Sequence, residues 1–418
     1  MEKQLIISLI SDQTIPNVQI IKEFGTLDTD YLYILTEGMK KKGAGEWIKK
    51  ACDINLLDPI IVNEYSLSDV QVKLSGFDYS KYDKIYVNIT GGTKIMTLGV
   101  YDFYKSKQAD IYYITRPEEN KFIHIGQDGQ DKIQFSPKSK ITLREYLTAY
   151  GFDVKETEQS GVEYEQTTQI FQSYCKGVFN EHIDALKFLR EKRKKDILFN
   201  NSDMLDNFLK AIKYTPKENN KLSNIEVKYL TGEWFEEYIG NEIKTAFSLS
   251  DDEILIGATI RKDIAEGKEI NPIANLLAID IEKDSPNNEI DVMFIKNNKF
   301  HIIECKTSII DSREVQEQKK TKKGKPVLDS NGEPEMETKT KKINILGETL
   351  YKSDAIKTKF GLFARSYIFT LTDFKEYIKG SIENQQRMVD LINRASISKI
   401  KLVDKSMLQN LKWEEIIR

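Results

Sequence analysis

The 418-residue chain is long enough for two or three domains, each able to bury its own core. Its 62 Lys and Arg against 65 Asp and Glu leave a formal net charge of −3, so the surface as a whole does not attract nucleic acid and any such binding needs a local basic patch. Cys52, Cys175 and Cys305 lie far apart, against disulfides and zinc, and no apolar run reaches membrane length. A cytoplasmic protein with no membrane partner is expected.

From Met1 to about Gly151, short apolar runs alternate with helical patterns. LIISLI, DYLYILT, YDKIYVNIT and ADIYYIT read as strands, with helices beginning near Pro16, around EWIKKAC and at IMTLGVYDFYKSKQ. KFIHIGQDGQDKIQF closes as a hairpin around Asp128-Gly129. Strand and helix in alternation imply an α/β domain with a parallel, Rossmann-like sheet.

The informative stretch is NITGGTKIM, Asn88 to Met96. Ligands of open α/β sheets bind at the carboxyl ends of strands. Gly91 and Gly92 let a ligand approach the backbone, and the next helix directs free N–H groups at an anion. Thr90, Thr93 and Lys94 add hydroxyls and a positive charge. The spacing fits neither a Walker A loop nor a dinucleotide fingerprint. Chemically it specifies a phosphate or other anion, and a tight structural turn is the alternative.

Tyr150 to Tyr214 reads as a helical connector with apolar stripes in TTQIFQSYCKGVF and HIDALKFLREKRKK. The basic run Arg190 to Lys195 reads as a solvated helix end, with phosphate contact as the lesser alternative. LTGEWFEEYIGNEIKTAF, Leu230 to Phe247, spaces Trp234, Phe235, Tyr238, Ile239 and Ile243 as one helical face.

NEIDVMFIKNNKFHIIECKTS, Asn288 to Ser308, reads as two strands joined by a tight turn at Asn297-Asn298. Period two puts Glu289 and Asp291 on one face of the first strand, and Glu304 and Lys306 on one face of the second. Folding at the turn brings these polar ends toward each other. Asp291 and Glu304 offer hard oxygens suited to Mg²⁺ or Mn²⁺, and the Ile303 carbonyl is an additional ligand candidate. Lys306 is placed to orient a water or stabilise charge on a phosphate. A sheet rim with solvated charges is the alternative. Asp311 to Lys342, rich in Lys with an acidic EPEME patch, reads as an insertion without a core of its own. It is either a strand-holding loop or a disordered or β-hairpin bystander. A helix from Leu350 to Lys359 and a strand from Arg365 to Thr370 follow.

Glu289-Ile290-Asp291 followed by Glu304-Cys305-Lys306 resembles the PD-(D/E)xK nuclease superfamily, with the name's proline replaced. That resemblance implies a glutamate from the preceding helix entering the site. Glu236 fits best, with Glu233 as its rival. TGGTK at a strand end resembles a CARF domain, the cyclic-oligoadenylate sensor of type III CRISPR systems. The loop Ser11-Asp12-Gln13-Thr14 resembles that family's other ligand-contacting loop. The pairing resembles the CRISPR ancillary nucleases with a CARF domain at 1–150, a helical connector at 151–220 and a restriction-endonuclease-like α/β domain at 221–418, interrupted at about 311–342. A HEPN ribonuclease is excluded, because no Arg stands the required few residues before His124, His182 or His301.

The resemblance implies a homodimer activated by cyclic tetra-adenylate that cleaves single-stranded DNA or RNA, with nicking of duplex DNA also open. The alternatives are a non-catalytic regulator that binds nucleic acid and a ring nuclease that degrades the cyclic ligand. His301, on the face of Ile303 and Cys305, is expected to pack rather than act as a base.

Overall fold

The structure is a computed structural model describing residues 3–126, 130–199, 202–262, 288–319, 326–328, 333–410 and 412–417. Asp128-Gly129 and the central parts of the 311–342 insertion lie outside them. The chain forms two compact units, one of residues 1–302 with 356–365 and one of residues 303–355 with 366–418.

The first unit begins with β1 (Gln4–Leu9), α1 (Ile15–Phe24), β2 (Thr29–Leu35), α2 (Glu37–Lys42), α3 (Ala44–Cys52), β3 (Ile60–Ile61) and α4 (Leu67–Ser75). It continues with β4 (Lys84–Asn88), α5 (Lys94–Tyr104), β5 (Asp110–Ile114), β6 (Phe122–Ile125) and β7 (Asp131–Phe135). These seven strands form one sheet in the order β3-β2-β1-β4-β5-β6-β7. β1 to β5 pair in parallel, while β6 and β7 are antiparallel additions at one edge. The central strand is apolar on both faces for a reason. Leu5, Ile7 and Leu9 join a core with Val87, Met96 and Val100, whereas Ile6 and Ile10 join the opposite core with Ile15, Tyr31 and Tyr86. A parallel sheet covered by helices on both sides needs such runs.

After α6 (Leu143–Ala149) comes β8 (Phe152–Glu156), then a helical stretch of α7 (Tyr164–Cys175), α8 (Val178–Glu181), α9 (Ile183–Glu191), the short β9 (Ile197–Leu198) and α10 (Asp203–Ala211). The connector is thus helical, apart from the two-residue β9 and a strand at its start that the polar sequence KETEQ conceals. The short β10 (Lys221–Leu222), α11 (Asn224–Lys228) and α12 (Trp234–Phe247) lead to β11 (Ile254–Lys262) and β12 (Asn288–Lys296). β11 pairs antiparallel with both β8 and β12. Trp234, Phe235, Tyr238, Ile239 and Ile243 are all buried, as the spacing requires, but the α-helix starts at Trp234 after a wider turn at Tyr229–Glu233. β13 (Lys299–Lys306) follows the turn at Asn297 and Asn298, whose φ angles of 53° and 57° are those of a type I′ turn.

The second unit holds the end of β13, an antiparallel pair β14 (Asp311–Gln318) and β15 (Met336–Ile343), α13 (Ile345–Thr358), β16 (Ala364–Thr370), α14 (Phe374–Lys379), α15 (Ile382–Ile397) and β17 (Ile400–Val403). α13 begins earlier than its sequence pattern indicates, and its first turns bury Leu346 and Leu350. β16 runs parallel to β17, and Leu346, Leu350, Ile368, Met388, Leu391 and Ile400 form this unit's own core. The two described arms of the insertion therefore form a β-hairpin, with Asp311 opposite Ile343 and Gln318 opposite Met336.

Candidate functional site

Two loops converge at the carboxyl ends of β1 and β4. They line a cavity of about 470 Å³ in the first unit, with Ser11, Asp12 and Gln13 from one loop and Thr90, Gly92 and Thr93 from the other. Thr14, Gly91 and Lys94 do not line it. Thr14 is buried ahead of α1, and Lys94 is the exposed first residue of α5. Gly91 sits so close to β1 that an added Cβ would lie 2.2 Å from the Leu9 carbonyl oxygen. Gly92 has φ +74°, a conformation costly for side chains.

A buried polar network fixes the two loops together. The Asn88 amide donates to Asn17 Oδ1 at 2.8 Å, and Asn17 Nδ2 donates to the Leu9 carbonyl at 3.4 Å. Thr90 Oγ1 accepts from the Ile114 N–H at 2.8 Å. Thr93 caps α5 by accepting from the Met96 N–H, and its hydroxyl donates to the Glu64 carbonyl at 3.0 Å. Asp12 is ion-paired to Lys42, and Gln13 Oε1 accepts the Leu362 N–H at 2.9 Å.

Arg116, Leu362 and Phe363 also line the cavity, and sequence reasoning missed them. Arg116 follows β5 in TRPEEN, a third strand end beside the two already singled out. That position was the available signal. Leu362 and Phe363 carry none, because they lie far along the chain, after α13.

A second cavity of the first unit, about 500 Å³, is lined by Glu233, Glu236, Glu237 and Glu289 together with Lys155, Lys228 and Arg261. Both helix glutamates anticipated as rivals therefore face one space. Burial raises the Glu233 carboxyl above the usual range and the charge of Glu289 adds to it, outweighing Arg193 at 3.3 Å. That pair gives one residue of the basic run 190–195 a partner within the protein. Glu237 is held differently. Its oxygens accept from the Ser160 N–H at 3.1 Å and hydroxyl at 2.8 Å, a structural tie. Asp291 is buried in β12, where Glu289 is exposed but the residues from Ile290 to Ile295 are all buried, so neither face of that stretch is solvated.

In the second unit Glu304 is fully buried. Lys306 Nζ lies 3.2 Å from its Oε2 and also donates to the Cys305 carbonyl at 3.0 Å. Lys352 of α13 reaches Oε1 at 2.8 Å. Lys352 was not anticipated, since the insertion and part of a helix separate it from the ECK motif. His301 is buried and stacked on Phe294 at 4.6 Å, and burial pushes its pKa down to about 3, so it packs as a neutral ring. Among the described residues, no group of three or more His, Cys, Asp or Glu side chains converges as a metal cage, and no helix is long and apolar enough to cross a membrane.

Residues 5–146 match the family model described as the Card1 CARF domain. No curated protein matches the sequence. Can2 from Sulfobacillus thermosulfidooxidans, solved in complex with cyclic tetra-adenylate, shares 17% identity with a TM-score of 0.61, the match covering 98% of this chain and 96% of that one. Protein VC1899 from Vibrio cholerae shares 16% identity with a TM-score of 0.64, covering 99% and 97% respectively. At such identities the likeness is one of fold, and it runs the length of the chain. The convergent loops, the strand order and the family match agree that residues 5–146 resemble a CARF domain, and the chain as a whole has the overall fold of Can2 and VC1899.

Proposed function

We propose that the protein is a metal-dependent nuclease switched on by cyclic tetra-adenylate, acting on single-stranded DNA or RNA in type III CRISPR defence. The observation that carries this reading is the buried Glu304 carboxylate beside Lys306 at the end of a hairpin strand. A carboxylate is removed from water at a cost that function often explains. Counting back from a two-residue turn at Asn297-Asn298 pairs position 291 with position 304, which supports a joint role for Asp291 and Glu304.

The donor set fits a hard cation. Mg²⁺ keeps most of its waters and needs only one or two carboxylates, so a three-residue cage is not required. Asp291, Glu304 and the Ile303 carbonyl would hold Mg²⁺ or Mn²⁺, and the nuclease resemblance would add Glu236 or Glu233 from α12. The cation would supply Lewis-acid stabilisation of the phosphate and a more acidic water. Lys306 orients the attacking water through its own fixed contacts to Glu304 and Cys305.

The sensor is assigned to residues 1–150, the connector to 151–220 and the nuclease to 221–418. Ser11, Asp12, Gln13, Thr90, Gly92 and Thr93, which line the cavity, are its ligand-contacting set, with Thr14 and Gly91 supporting the two loops and Lys94 at the exposed start of α5 beside them. The known complex of Can2 with cyclic tetra-adenylate supports that ligand. Ile95 and Leu98, exposed a turn apart on α5, support a homodimer in which each subunit offers the same residues to a two-fold ligand. The direct test of the nuclease assignment is Asp291→Ala. Cleavage should fall roughly a thousandfold while cyclic tetra-adenylate still binds, and parental cleavage would defeat the assignment.

A further inference from the structure

Leu362 is a large apolar residue left 65% exposed, yet its backbone is tied at both ends. Its N–H donates to Gln13 Oε1 at 2.9 Å, and its carbonyl accepts from Arg365 Nη1 at 2.8 Å. Arg365 is itself ion-paired to Glu118, in the loop that follows β5. One residue before the turn, the Phe360 carbonyl accepts from the Tyr146 hydroxyl at 3.1 Å. Gly361 takes φ +66°, and a Cβ there would lie 2.4 Å from Gln13 Oε1 and 2.6 Å from the Tyr150 hydroxyl oxygen. The turn Gly361–Phe363 is thus packed directly against the SDQT loop. Phe360 and Phe363 are buried in the core, which leaves Leu362 as the accessible side chain of this turn at the cavity wall. A rigidly held apolar surface can be covered by a ligand at little cost in ordering.

We infer that Leu362 is a base-contacting residue of the sensor site, supplying an apolar platform for an adenine ring of bound cyclic tetra-adenylate. The inference rests on the sensor reading above. It adds an element from outside the matched domain, since the family match ends at residue 146. The cavity wall offers two kinds of chemistry. Ser11 brings a hydroxyl and Arg116 a guanidinium, which suit ribose and phosphate oxygens. Leu362 belongs with Pro16, Met39 and Met96 to the apolar lining. An adenine ring is planar with apolar faces, and covering one face releases water from both surfaces. In chain order the turn stands between two stretches of the second unit, 303–355 and 366–418. A ligand resting on Leu362 therefore bears on chain that continues into α13 on one side and β16 on the other.

Leu362→Ala removes the platform and keeps the N–H and carbonyl that hold the turn. Calorimetric titration of the full chain with cyclic tetra-adenylate should show binding weakened about tenfold or more. The side chain is exposed in the free protein, so the melting temperature without ligand should stay near the parent's. The slope of affinity against salt should also be unchanged, because no phosphate contact is lost. Leu362→Met keeps an apolar face of similar volume and should restore most of the affinity. Hydrogen exchange gives a readout that needs no substitution. In the parent, the peptide spanning 360–365 should exchange more slowly once cyclic tetra-adenylate is bound. Affinity of Leu362→Ala within about threefold of the parent, or no slowing across 360–365, overturns this inference alone. A parent that does not bind cyclic tetra-adenylate overturns the sensor reading and this inference with it.

Discussion

Gly91→Ala should damage the sensor cavity without touching any group that faces the ligand. A Cβ there would stand 2.2 Å from the Leu9 carbonyl oxygen and 3.1 Å from its carbon. Comfortable carbon–oxygen contacts begin near 3.3 Å, so something must move by about 1 Å. β1 resists, because it is hydrogen-bonded on both sides by β2 and β4 and its Leu9 carbonyl also accepts from Asn17. The TGGTK loop yields instead, carrying Gly92 and Thr93 out of the cavity wall. Overpacking of this kind costs about 1–3 kcal/mol, and if the loop must be driven back for binding, affinity falls about 5- to 150-fold. Gly38→Ala is the control, since its Cβ would meet only Thr36 Oγ1 at an ordinary 3.6 Å. Calorimetric titration with cyclic tetra-adenylate reads the effect. Parental affinity in Gly91→Ala would refute both the steric argument and the place given to this loop.

His301 has a pKa depressed by burial to about 3, so between its unfolded value near 6.5 and that figure the unfolded chain binds the extra proton. Stability should therefore fall with acidification in this window, by up to about 1.4 kcal/mol per pH unit, and denaturant titrations of His301→Phe should show a flatter acid limb. Glu233, raised by burial first and by Glu289 further, is destabilising when ionised. Glu233→Gln should raise the melting temperature more where the parental carboxyl is ionised than in acid, where it is protonated. An equal gain in both conditions would remove electrostatics as the cause.

Much of the first domain was legible because a buried parallel sheet demands continuous apolar strands, and ligands of such sheets bind where the strands end. LIISLI and YVNIT mark the strands, and SDQT and TGGTK mark the ends. The Asn297-Asn298 turn was legible because Asn tolerates positive φ. Period two said less about β12. With both faces buried, EIDVMFI does not reveal which carboxylate is enclosed, and burial distinguishes Asp291 from the exposed Glu289. β8 was hidden because a five-residue edge strand needs few apolar side chains. Lys352 was hidden because the charged insertion separates α13 from β13 in sequence, and no local spacing encodes an ion pair between them.

The central claim couples the sensor to cleavage, and one titration reads it. Cutting of labelled single-stranded DNA and RNA in Mn²⁺ is followed against cyclic tetra-adenylate for the parent, Lys94→Ala and Asp291→Ala. Moving the protein from about 1% to 99% active requires about 5.5 kcal/mol of preferential binding, which the polar loops Ser11 to Thr14 and Thr90 to Lys94 would supply twice in a dimer. The parent should be nearly silent without ligand and active with it, Lys94→Ala should lose the stimulation, and Asp291→Ala should bind ligand yet not cut. Full cleavage without cyclic tetra-adenylate, unchanged by Lys94→Ala, would contradict the account.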